Sequence, residues 1–217
     1  HEVDAHFVGH PLLDAISALK EIDIDQFKAE NNLNQKEIIA LLPGSREQEV
    51  TKMLELMLSV RPNFQEYQFV IAGAPSLPKE FYQKFVDENV HFVSNKTYDL
   101  LRCSKAALVT SGTATLETAL LNIPEVVCYR SSRISYEIGK RVVKNIKYIS
   151  LVNLIMDQEI VTELIQSDLN TKNLVKELEL ILKGNSREKM LHNFELLREK
   201  LGGKGASDLA AEIIING

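Results

Sequence analysis

The chain has 217 residues, 45% of them hydrophobic and 25% charged, the size and composition of one large α/β domain or one domain with an appendage. Its formal net charge is −5, which argues against a general nucleic-acid binder. Two cysteines, Cys103 and Cys128, and five histidines without metal-ligand spacing give neither a disulfide framework nor a metal site, and fit a reducing cytoplasm.

The opening, His1-Glu2-Val3-Asp4-Ala5, lacks a Met and runs into Phe7-Val8-Gly9-His10-Pro11. It reads as the middle of a longer chain, with residues 1–20 a linker from a preceding domain and His10 a linker histidine. No apolar run reaches the length of a membrane span. Strands are expected at 38–42, 68–72, 90–93, 106–110 and 125–129. Each is short, rich in Val or Ile, and apolar on both faces, as buried parallel strands are. Helical patterns lie between them at 47–60, 79–88, 98–103 and 113–121. Such alternation predicts βαβ units and a Rossmann-like, doubly wound parallel sheet. The last third reads as helical, at 134–145, 153–156, 171–183, 187–201 and 206–215. The expected division is a nucleotide-binding domain over 21–200 and a C-terminal helix over 201–217.

Ligands of doubly wound sheets sit where the carboxyl ends of strands turn into helices. Two such turns stand out. Leu42-Pro43-Gly44-Ser45-Arg46 ends an apolar run and precedes a charged helical segment. Gly44 admits close backbone approach, Ser45 caps a helix or binds oxygen, and Arg46 offers a fork of donors. The same residues also suit a plain βα turn with a solvated Arg. Thr110-Ser111-Gly112-Thr113 is the second turn, with hydroxyls at Ser111 and Thr113 for a cap or a phosphate. Glu117 lies one turn further on, at the reach of a ribose diol or simply in a favourable position on the helix dipole.

Arg130, after the strand at 125–129, points into the cleft or to solvent. Asn153, inside Ser150-Leu151-Val152-Asn153-Leu154, caps the next helix or presents its amide to a ligand. The segment 133–147 carries Arg133, Lys140, Arg141, Lys144 and Lys147 against one acid, Glu137, with an apolar stripe of Ile134, Ile138, Val142 and Ile146. It suits an anionic membrane surface or an ordinary core-packed helix. Neither a Walker pattern nor a Gly-X-Ser-X-Gly elbow is present, so nucleotide hydrolysis and serine-hydrolase chemistry are not expected.

Phe7-Val8-Gly9-His10-Pro11-Leu12, Ala40–Arg46 with Glu49-Val50, Thr110–Glu117, Val127-Cys128-Tyr129-Arg130 and Ser150–Leu154, in that order, resemble the C-terminal half of lipid-A-disaccharide synthases. Val152 departs from the family's usual Pro. The resemblance implies the C-terminal nucleotide-binding domain of a GT-B glycosyltransferase. It implies an inverting reaction without cofactor or metal, in which UDP-2,3-diacylglucosamine and 2,3-diacylglucosamine 1-phosphate give the disaccharide 1-phosphate and UDP. It places Gly44, Ser45 and Arg46 on the diphosphate, Ser111, Gly112, Thr113 and Glu117 on phosphate and ribose, and Arg130 and Asn153 in the cleft. The general base is expected in an N-terminal domain outside this chain, and the location at the cytoplasmic face of the inner membrane. The alternatives are another GT-B UDP-sugar enzyme, such as a 2-epimerase, and a non-catalytic nucleotide-binding module.

Overall fold

The computed structural model describes residues 6–130 and 147–216. Six strands, β1 Glu37–Leu42, β2 Tyr67–Gly73, β3 Val90–Ser94, β4 Ser104–Thr110, β5 Glu125–Tyr129 and β6 Thr162–Ile165, form one sheet. Its order is β3-β2-β1-β4-β5-β6 and every pairing is parallel. This is the doubly wound Rossmann-like order expected from the sequence. The chain leaves β1 toward β2 on one side and leaves β4 toward β5 on the other. The topological switch point therefore lies between β1 and β4, where Leu41 pairs with Leu108.

The alternation of strand side chains divides the core into two. Ile39, Leu41, Phe69, Ile71 and Leu108 face one layer of helices, while Ile38, Ala40, Val70, Ala107 and Val109 face the other. Helix α3 (Glu47–Leu58) buries Val50, Met53, Leu54 and Met57 on the first face. That i, i+3, i+4, i+7 spacing makes one apolar stripe, and each such side chain contributes about 1.5–3 kcal/mol when buried. On the second face lie α2 (Ile24–Glu30), through Phe27, and α5 (Thr97–Arg102), through Leu100 and Leu101.

The five expected strands are all present, each within two residues of its expected ends. Four segments differ, the first being α2 (Ile24–Glu30), where no helix was expected. Residues 79–88 hold only one helical turn, α4 (Lys79–Tyr82), and a 3-10 turn, Gln83–Phe85. Within the supposedly helical last third, β6 adds a sixth strand beside β5. Residues 11–17, expected as linker, form α1 (Pro11–Ser17), capped by His10 Nδ1, which accepts from Leu12 N at 3.2 Å.

The remaining helices are α6 (Thr113–Leu120), α7 (Leu151–Met156), α8 (Thr171–Leu182), α9 (Asn185–Lys200) and α10 (Ala206–Asn216). Asp14 of α1 accepts from Gly205 N at 2.6 Å and Ser207 N at 2.9 Å, fastening α1 to the start of α10. The expected helix at 134–145 lies outside the described residues. No helix among the described residues is long and apolar enough to cross a membrane.

Candidate functional site

The switch point brings together the two turns singled out in the sequence. After β1, Gly44 has φ +96°, a left-handed conformation that a side chain disfavours. A Cβ there would lie 3.7 Å from Thr110 Cγ2, at the end of β4. Ser45 was open in the sequence to capping α3 or to binding a ligand oxygen. The capping position is instead Arg46, and no side chain accepts from the first turn. Ser45 is held through its carbonyl, which accepts from Ser76 Oγ at 2.9 Å. Arg46 pairs with Glu49 at 3.3 Å, with 81% of its side chain exposed, a geometry that adds little to stability and leaves the guanidinium open to a ligand.

The second turn is tied down on both sides. Ser111 N donates to Cys128 O at 3.1 Å, and Ser111 Oγ donates to Ile149 O at 3.1 Å. Gly112 occupies the capping position of α6 and offers no side chain. Neither Ser111 nor Thr113 caps this helix, so of the cap and phosphate roles open to them in the sequence the structure excludes the first. Elsewhere α2, α7 and α8 receive side-chain caps from Asp23, Ser150 and Asn170. At the switch point α3 and α6 both present uncapped first turns, where backbone donors and the positive end of the dipole favour an anion.

Two cavities flank these turns. One of about 330 Å³ is bounded by Gly44, Ser45, Ser111, Gly112, Thr113 and Glu117. The other, about 680 Å³, is bounded by Gly44, Ser45, Arg46, Ser111, Tyr129 and Arg130. Glu117 sits beside Tyr98. Burial, reinforced by the Glu117 charge and their hydrogen bond, pushes the Tyr98 phenol up to about 12. Tyr98 therefore stays a neutral donor to Glu117. Nothing local in the sequence marked it, because the two residues meet only across the βα edge. Arg130 is exposed, and its Nη2 donates to Leu169 O at 2.9 Å and Gln166 O at 3.4 Å. It walls the larger cavity while fastening the turn after β6.

Asn153 is not in the cleft. It is fully buried. Its Nδ2 donates to Val161 O at 2.8 Å and Glu163 Oε1 at 2.9 Å, and its Oδ1 accepts from Ile160 N at 2.8 Å and Val161 N at 3.1 Å. All four hydrogen-bonding positions of the amide are filled. Nor does Asn153 cap α7, because Ser150 does so by accepting from Asn153 N. Val152, where the resembled family has Pro, is the second residue of α7. An N–H there has no partner within the helix, so either residue fits.

A further hollow of about 590 Å³ lies at the opposite edge of the sheet, by Lys36, Arg61, Tyr67 and Asn89. Its polar groups are paired with one another: Lys36 Nζ donates to Gln65 O and Asn89 Oδ1, and Arg61 binds Asp87 at 2.7 Å. Among the described residues no three His, Cys, Asp or Glu side chains come together to hold a metal ion.

The sequence matches the family described as lipid-A-disaccharide synthetase over residues 1–214. It is 37% identical over 220 residues to the lipid-A-disaccharide synthase of Syntrophus aciditrophicus (strain SB), covering 96% of this chain and 56% of that protein. It is 34% identical over 227 residues to that of Sulfurihydrogenibium sp. (strain YO3AOP1), covering 96% and 58%. The chain thus spans little more than half the length of these relatives. Among solved structures it is similar to the S. aureus MnaA–UDP co-structure, with TM-score 0.61, 15% identity and coverage of 95% of this chain and 53% of that one. It is also similar to the spinosyn rhamnosyltransferase SpnG, with TM-score 0.57, 12% identity and coverage of 83% and 45%. At such identities the likeness concerns the fold, whereas the sequence relationship is specific: the chain belongs to the lipid-A-disaccharide synthetase family.

Proposed function

We propose that this chain is the donor-binding half of a lipid-A-disaccharide synthase, a glycosyltransferase that takes UDP-2,3-diacylglucosamine. The observation that carries this reading is the meeting of two uncapped helix starts at the switch point, with Glu117 on the wall of the same cavity. Backbone donors after Gly44 and Gly112, with Arg46, hold the diphosphate. Ser111 and Thr113 hydroxyls add to the phosphate contacts, and Glu117 accepts from the ribose hydroxyls. As the anomeric bond breaks, charge accumulates on the departing UDP. Donors fixed before the reaction stabilise that charge without reorganising.

The acceptor, 2,3-diacylglucosamine 1-phosphate, and the base that deprotonates its 6-hydroxyl are assigned to the rest of the enzyme. The lipid substrates place the work at the cytoplasmic membrane surface, and the basic segment 133–147 suits anionic headgroups. Calorimetric titration of the chain with UDP tests the donor site. Saturable binding that weakens about tenfold in Arg46→Ala is expected, by the loss of a charge-assisted contact. Absence of UDP binding by the unaltered chain overturns the reading.

A further inference from the structure

One polar group at the switch point is left over. Thr110 is the last residue of β4 and lines both cavities, between Gly44 and Ser111. Its Oγ1 is buried and has no hydrogen-bond partner among the described residues. Its methyl and Cβ are the groups nearest to Gly44, at 3.7 Å and 3.9 Å from where a side chain there would begin. An unpaired buried hydroxyl is unfavourable, and such a group in a native structure calls for a physical reason. Here the hydroxyl faces protein while the methyl faces the opening that Gly44 leaves.

Threonine's two heavy substituents occupy staggered positions 120° apart about χ1. One rotation in the right sense carries Oγ1 to the place now held by Cγ2. The hydroxyl then stands on the Gly44 side, between the first turns of α3 and α6, where an anion comes closest to the backbone.

We propose that Thr110 is an additional binding residue of the donor site. When a nucleoside diphosphate enters, its side chain turns about χ1 and its hydroxyl donates to a phosphoryl oxygen. This rests on the reading that the cleft takes UDP. The turn exchanges a group without a partner for one bonded to a charged acceptor, so ligand-free and bound forms hold opposite rotamers. The hydroxyl also distinguishes phosphate from the remainder of the nucleotide, because it lies at the helix starts rather than beside Glu117.

The test compares the unaltered chain with Thr110→Val, which keeps the shape and loses the hydroxyl, and Thr110→Ser, which keeps the hydroxyl and loses the methyl. Each is titrated calorimetrically with UDP and with uridine, and melted without ligand. Thr110→Val is expected to bind UDP about tenfold more weakly, the effect of one hydrogen bond to a charged group, with uridine affinity unchanged and the melting temperature equal or higher. Thr110→Ser is expected to bind UDP within about twofold of the unaltered chain, since it retains that bond. Thr110→Ala repeats the comparison should the valine variant not fold. UDP affinity unchanged in the variants lacking the hydroxyl, or equal losses for UDP and uridine, overturns the assignment while leaving the donor-site reading intact. An unaltered chain that binds no UDP overturns both.

Discussion

Asn153 Nδ2 donates to Glu163 Oε1 at 2.9 Å, joining α7 to β6 through two side chains that have no part in the cleft. The same carboxylate accepts from Ser150 N at 3.0 Å and Ser150 Oγ at 2.7 Å, while its other oxygen accepts from Ile149 N at 2.9 Å. Ile149 in turn accepts from Ser111 Oγ. A polar knot between two short elements thus supports the turn after β4 from behind.

Replacing Asn153 by Leu leaves Ile160 N, Val161 N and Val161 O without their side-chain partner. Buried backbone groups stripped of partners are costly, and removing a whole cluster of bonds belongs to the severe class of substitutions. Asn153→Leu is expected to lose about 3–5 kcal/mol in urea unfolding. UDP affinity of the fraction that remains folded is expected to stay within about twofold, because no ligand contact is removed. A large fall in affinity with unchanged stability would return Asn153 to the cleft.

The pairing of Tyr98 with Glu117 gives a spectroscopic handle on the Glu117 side of the cleft. Burial, then the Glu117 charge and hydrogen bond, hold the phenol at about 12, above its ordinary 10.0. Above pH 10 the unfolded chain loses this proton before the folded protein does. The associated stability is therefore complete below pH 10 and lost as pH rises toward 12. Glu117→Gln removes the charge but not the burial. In alkaline absorbance titration its most resistant phenol should ionise at lower pH than in the unaltered chain, and Tyr98→Phe should lack that phase altogether. The glutamine variant should also bind uridine more weakly, by about tenfold for the loss of a charge-assisted pair of bonds.

The strands were legible where both faces are buried. Runs such as Ile38–Leu42 and Val126–Cys128 have no polar face to confuse them with an amphipathic helix. Strand β6 hides for the opposite reason. It has four residues, begins with Thr162-Glu163, and takes its place through pairing with β5 and the Asn153 knot. Helices α1 and α2 are seven residues each and owe their positions to His10 and Asp23 caps and to tertiary docking, which periodicity does not register. Gly44 and Ser111 were readable as candidate site residues because each lies within two residues of a strand's end, and the parallel sheet brings such positions to one edge. Tyr98 and Thr110 carry no comparable mark. One acquires its partner across that edge, and the other differs from any strand-end threonine only in lacking one.

Glu125 lies at the edge of the sheet away from the cleft. It begins β5, opposite Ala107 of β4, and is fully buried. Neither carboxyl oxygen has a hydrogen-bond partner among the described residues. Burial alone holds this carboxyl well above its ordinary 4.5, because an unpaired charge in the core is strongly disfavoured. The folded protein therefore holds this proton to higher pH than the unfolded chain does. Its contribution to stability is therefore complete below pH 4.5 and declines as pH rises toward the folded value. Glu125→Leu, of similar volume and without a charge, removes that dependence. Urea unfolding at pH 7 should find the leucine variant more stable than the unaltered chain, with the gap narrowing steadily toward pH 4.5. A gap that stays constant with pH would mean that Glu125 is ionised in the folded state and has found a partner.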